Sequence, residues 1–76
     1  MPWPERIIVD PEILASKPVI RGTRIAVEFI LELLAAGQSE GEILLNYPGL
    51  VKEDLLACLE YASYLAHEHR TYSTSA

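Results

Sequence analysis

The sequence predicts a mainly α protein, with three helices preceded by a short N-terminal β-ribbon. Three observations carry that expectation. Beyond residue 25 the apolar residues recur at helical spacing, broken by helix stop and start signals. Before it, two β-branched clusters, Ile7-Ile8-Val9 and Val19-Ile20, stand among proline-marked turns. Between these regions runs Lys17-Pro18-Val19-Ile20-Arg21-Gly22-Thr23-Arg24-Ile25, which holds three of the six basic residues and no acid.

In chain order, Trp3 lies between Pro2 and Pro4, as a frayed end or an apolar lid. Ile7 to Val9 reads as a strand ended by the turn signal Asp10-Pro11. Glu12 to Ala15 reads as one turn of helix before the break at Ser16-Lys17-Pro18. Pro18 fixes its own φ and disfavours the helical region for Lys17, so the chain re-enters extended. Val19, Ile20 and Ile25 are expected to pair back onto Ile7 to Val9, with Gly22 supplying a turn position open to positive φ. A two-stranded ribbon alone is marginal, so it must lean on the helices or on a second subunit.

Ala26 to Ala36 is expected to form the first helix, with Gly37 at C′. Its apolar positions, Val27, Phe29, Ile30, Leu31, Leu33 and Leu34, span a wide arc, with Glu28 and Glu32 on the one polar edge. Ser39 and Glu42 make a capping box for a short second helix through about Asn46, with Ile43 and Leu44 facing inward. Tyr47-Pro48-Gly49 stops it. A third helix runs from about Lys52 to His69, with Leu55, Cys58, Leu59, Ala62, Leu65 and Ala66 at helical spacing. The expected organisation is one domain over residues 1–76: an N-terminal β/loop segment at 6–25, a three-helix bundle at 26–69 and a disordered tail at 70–76.

Half of the 76 residues are apolar, enough for a core without staples. One cysteine, Cys58, allows no intramolecular disulfide, which fits a reducing cytoplasm. The Met-Pro-Trp-Pro-Glu start lacks a basic n-region and an apolar h-region, so no signal peptide is expected. No apolar run approaches the roughly 18 residues of a membrane span. The net charge of −5 is unevenly placed. Residues 1–24 carry four cations against three acids, and residues 25–76 carry two against eight, so the segments hold +1 and −6. An acidic body does not attract phosphate backbones, so nucleic-acid contact would fall to the N-terminal segment.

Three helices with a short middle one, joined by short turns, make a helix-turn-helix arrangement. The run KPVIRGTRIAVEFILELLAAGQSEGEILLNYPGLVKEDLLACLEYA sharpens it, because it resembles the DUF433 family of small prokaryotic proteins. That family's pattern reads roughly Gly-Lys-Pro-x-Ile-x-Gly-Thr-Arg-Ile-Pro-Val, then a helix, Gly, a capped short helix, Tyr-Pro and a third helix. The match covers about residues 7 to 66. It implies a homeodomain-like fold and an antitoxin-like role beside a PIN-like nuclease toxin. Three positions depart from the pattern: Ser16 stands for Gly, Ala26 for Pro, and Val51 for the Thr that caps the third helix, with Asp54 retained.

Lys17, Arg21, Thr23, Arg24 and Lys52 are the candidate residues for nucleic-acid or partner binding. The cations could clamp phosphates or enter an acidic partner site; structurally they could pair with Asp10 or Glu12. The third helix begins Lys52-Glu53-Asp54, and two carboxylates facing phosphates oppose docking, whereas acids favour a helix N-terminus. Phe29, Leu33, Tyr61 and Tyr64 are candidates for a homodimer interface, and Tyr72 is a further interface-prone aromatic. His67-Glu68-His69 does not suggest a metal site, since positions two apart on a helix share no face. Cys58 reads as a core thiol and Glu28 with Glu32 as solvated surface. No Ser-His-Asp arrangement, P-loop or dinucleotide fingerprint is present, so neither an enzyme nor a cofactor is expected. Two functions follow: a dimeric DNA-binding antitoxin or regulator acting on operator DNA, or a module that inhibits a PIN-like nuclease by contact alone.

Overall fold

The computed structural model describes residues 3–68. The expected tail at 70–76, with His69 and Tyr72, lies outside the described residues. Strand β1, Ile7–Val9, pairs antiparallel with β2, Pro18–Ile20, setting Ile7 opposite Ile20, Ile8 opposite Val19 and Val9 opposite Pro18. Ile25, expected to pair with β1, instead turns back on β2, its C=O accepting from the Ile20 N–H at 3.0 Å.

The expected helical turn over Glu12 to Ala15 is replaced by a left-handed one. Leu14, Ala15 and Ser16 have φ of 50°, 54° and 71°. The turn is held by the Ser16 N–H on the Ile13 C=O and the Lys17 N–H on the Leu14 C=O. Left-handed geometry costs L-residues about 1–2 kcal/mol each. The chain accepts it here because the register places Pro18 directly opposite Val9, and the connection must reverse between them.

Helix α1, Val27–Ala35, starts after Ala26 and ends in a Schellman motif. Gly37, at φ +98°, donates to the Leu34 C=O at 3.0 Å, and Gln38 donates to the Leu33 C=O at 3.1 Å. Helix α2, Glu40–Asn46, carries the capping box: the Glu42 N–H donates to Ser39 Oγ at 3.1 Å, and the Ser39 N–H to Glu42 Oε1 at 2.8 Å. Helix α3, Lys52–Glu68, is about 26 Å long at 1.5 Å per residue.

The core joins Ile7 and Ile20 of the ribbon, Val27 and Ile30 of α1, Ile43 of α2, Leu50, and Leu55, Ala57 and Cys58 of α3. Its reach along α3 is shorter than the apolar spacing implies. Leu59 and Leu65, at helical spacing with the core residues, are 45% and 39% exposed. Leu59 lies about 100° round the helix from Cys58, on the outward arc, and Leu65 lies about two turns beyond Cys58, the last buried residue of α3. Trp3 covers part of that second half. It is the apolar lid, packed edge-on against Tyr61 at 4.7 Å and tilted against Tyr64 at 5.3 Å.

Candidate nucleic-acid or partner interface

Residues 20–25 form the turn that displays the cations. Gly22 takes φ +83°, a conformation L side chains rarely adopt. Thr23 clips the turn shut: its Oγ1 donates to the Ile20 C=O at 2.7 Å and accepts from the Ile25 N–H at 2.9 Å. Half-buried and with its hydroxyl engaged, Thr23 shapes the site and does not reach out from it. Arg24, beside it, is exposed and makes no ion pair or side-chain hydrogen bond among the described residues.

The other cations diverge. Lys17 Nζ meets Glu28 Oε2 of α1 at 2.7 Å, and the hydrogen bond and charge of Glu28 raise the lysine's pKa. Both side chains are more than half exposed, so water screens the pair. Arg21 Nε donates to the Glu5 C=O at 2.8 Å. Neither cation uses Asp10 or Glu12; Asp10 instead accepts the Glu12 N–H at 2.8 Å, closing a local turn. Lys52 is exposed at the start of α3. The five candidates therefore do not converge on one clamp.

What the sequence reading missed is Arg6. Its guanidinium NH1 donates to Asp54 Oδ1 at 2.9 Å, tying the start of the ribbon to the first turn of α3. The other oxygen, Oδ2, accepts the Val51 N–H at 3.0 Å, as the acidic member of a capping box does. Asp54 is buried, 7% exposed, and turned inward, so of the two carboxylates that could face phosphates only Glu53 is exposed, while Asp54 serves the helix start. Arg6, Arg21, Glu5 and Asp54 line an open groove of about 280 Å³, two cations against two carboxylates.

The elements and this turn have counterparts among known proteins. The DUF433 family, described as a protein of unknown function, matches residues 7–62. The chain belongs to the DUF433 family. A solved structure of a DUF433 member protein from Anabaena variabilis ATCC 29413 is similar to it, at 33% identity and a TM-score of 0.77. The match covers 83% of this chain and 62% of that one, so the present chain spans less than two thirds of that relative's length. No curated protein matches.

Within the DUF433 pattern, the departures acquire geometry. Ser16, standing for Gly, sits at φ +71°, where glycine is at ease. Ala26, standing for Pro, has φ −72°, which proline's ring also prefers. Val51, standing for Thr, is 47% exposed with no hydroxyl to complete the box that Asp54 half makes.

The expected interface residues of this DUF433 chain are partly engaged within it. Phe29, 36% exposed, rests edge-on against Tyr47 at 5.7 Å, and Leu33 packs half-buried against the core. Tyr61 and Tyr64 hold Trp3. Cys58 is buried, and burial, with a smaller contribution from the Asp54 charge, pushes its pKa up to about 12, so the thiol stays protonated near neutral pH. Among the described residues no three His, Cys, Asp or Glu side chains cluster as a metal site.

Proposed function

We propose that this DUF433 chain is a protein-interaction module, the binding member of an antitoxin-like pair, acting as a homodimer on a PIN-like nuclease without reading DNA through α3. In a homeodomain-like helix-turn-helix the third helix would present its outer face to the major groove. Here that face carries Leu56 and Leu59, 39% and 45% exposed, and this is the observation that supports the reading most strongly. Apolar side chains there meet neither phosphates nor most base edges, whereas they suit a protein surface. Arg24, exposed and unengaged among the described residues, is the residue best placed to enter an acidic partner site.

One observation favours the second reading, a DNA-binding regulator. Asp54 turns inward onto Arg6, which leaves Lys52 with one exposed acidic neighbour, Glu53, in the first turn of α3. The two readings separate on co-expression with the product of the neighbouring reading frame. Contact inhibition predicts co-purification and suppressed nuclease activity, with Arg24→Ala releasing that activity while the fold is retained. A nuclease equally suppressed by Arg24→Ala refutes the role given to that residue, and the absence of any complex refutes the pairing.

A further inference from the structure

The outward face of α3 carries a pattern the core does not use. Leu56, Leu59, Ser63 and Ala66 are all exposed, and their spacing of three, four and three residues is that of a coiled-coil seam. At about 100° per residue they fall within an arc of roughly 80°, on the side away from the buried Asp54, Ala57 and Cys58, with buried Leu55 bordering the arc at its Leu59 and Ala66 edge. The order of sizes along the seam points to its occupant. Two leucines come first, then serine and alanine. A parallel copy would set leucine on leucine and serine on serine, leaving the second half unfilled. An antiparallel copy sets Leu56 against Ala66 and Leu59 against Ser63, large over small on both sides of a two-fold axis.

We propose that α3 pairs antiparallel with α3 of a second copy through Leu56, Leu59, Ser63 and Ala66. This rests on the homodimer reading above and moves its contact away from Phe29, Leu33, Tyr61 and Tyr64. Each of those residues has a neighbour within the chain, Tyr47, the core or Trp3, although Phe29 and Tyr64 stay 36% and 45% exposed, whereas Leu56 and Leu59 stand in register along one helix face. Flanking charges bear on the same geometry. Glu53 of one copy comes opposite His67 of the other, while Glu60 approaches its own counterpart near the axis. The seam is a single helix face of four positions, short of the roughly 800 Å² per copy of a standard interface, so self-association is weak and concentration-dependent.

Sedimentation across a micromolar series tests this, with the mass rising from 8.5 kDa toward twice that value. Leu59→Glu is expected to weaken association at least tenfold, with a melting temperature unchanged at concentrations low enough for both proteins to be monomeric, since the side chain lies outside the core. Glu60→Gln is expected to strengthen it. Mixing Leu59→Cys with Ser63→Cys protein under oxidation should yield the mixed cross-linked dimer, whereas each variant alone should not cross-link; Cys58 is buried and stays out of the reaction. Cross-linking of each variant with itself overturns the antiparallel arrangement. Loss of the dimer on Phe29→Glu but not on Leu59→Glu overturns the α3 seam and leaves the homodimer standing. A wild-type protein monomeric at high micromolar concentration overturns both.

Discussion

Replacing Asp54 with alanine removes two interactions at once, and their sum can be worked from the geometry. The Val51 N–H loses the acceptor now 3.0 Å away, a helix-start bond whose loss typically costs about 1 kcal/mol. Arg6 loses its partner at 2.9 Å. A charge-assisted hydrogen bond is worth about 1.5–3 kcal/mol when shielded, but the Arg6 side chain is 38% exposed against 10% for Asp54, which brings the figure down to about 1 kcal/mol. The expected loss is therefore about 2 kcal/mol, out of a total of roughly 4–11 kcal/mol for a domain this size. Circular dichroism during urea denaturation reads it directly. Asp54→Asn keeps an acceptor for Val51 and should cost about half as much. Arg6→Ala should be non-additive with Asp54→Ala, because both remove the same ion pair. If Asp54→Ala falls within about 0.5 kcal/mol of wild type, or if the two substitutions simply add, the link between ribbon and α3 does not stabilise the fold as argued.

Three further outcomes follow from the same geometry. Val51→Thr should raise stability by about 0.5–1 kcal/mol, since it completes the box with Asp54 and gives up only half-exposed methyl surface; an unchanged denaturation midpoint would contradict it. Ser16→Gly should stabilise by about 0.5–1 kcal/mol, the relief of a φ of +71° outweighing the extra freedom glycine brings to the unfolded chain; a lower midpoint would show that the serine side chain matters more. Cys58 should resist thiol reagents at pH 8 in the folded protein and react on unfolding, because its pKa near 12 keeps the thiol protonated and burial keeps it covered; fast labelling of the native state would refute the burial.

Much of the architecture was legible because its signals are local. Ser39 with Glu42, Gly37, and the β-branched pairs Ile7-Ile8 and Val19-Ile20 each act within a few residues of where they stand. The left-handed turn was not legible, because Leu14, Ala15 and Ser16 have no propensity for it and the closure of β1 on β2 imposes it. Arg6 carries no local signal, because it pairs across 48 residues with an acid that reads equally well as a helix-start charge. Periodicity shows apolar residues at helical spacing on α3 but neither which arc its partners cover nor how far they reach, so Leu59, on the outward arc, and Leu65, beyond Cys58, are exposed where the spacing suggests burial. Of the basic cluster, the sequence revealed the charge and not its uses: Lys17 turns to Glu28, Arg21 to the Glu5 carbonyl, and Arg24 stays exposed.

The claim that α3 presents a protein surface and does not read bases is tested most directly by titrating the protein against its own upstream DNA. The gel shift should be run from about 50 to 200 mM salt, the range over which phosphate contacts lose most of their affinity. No sequence-specific retention is expected at any point in that range, and no change on Lys52→Ala. A specific complex with a steep salt dependence, lost on Lys52→Ala, would contradict it.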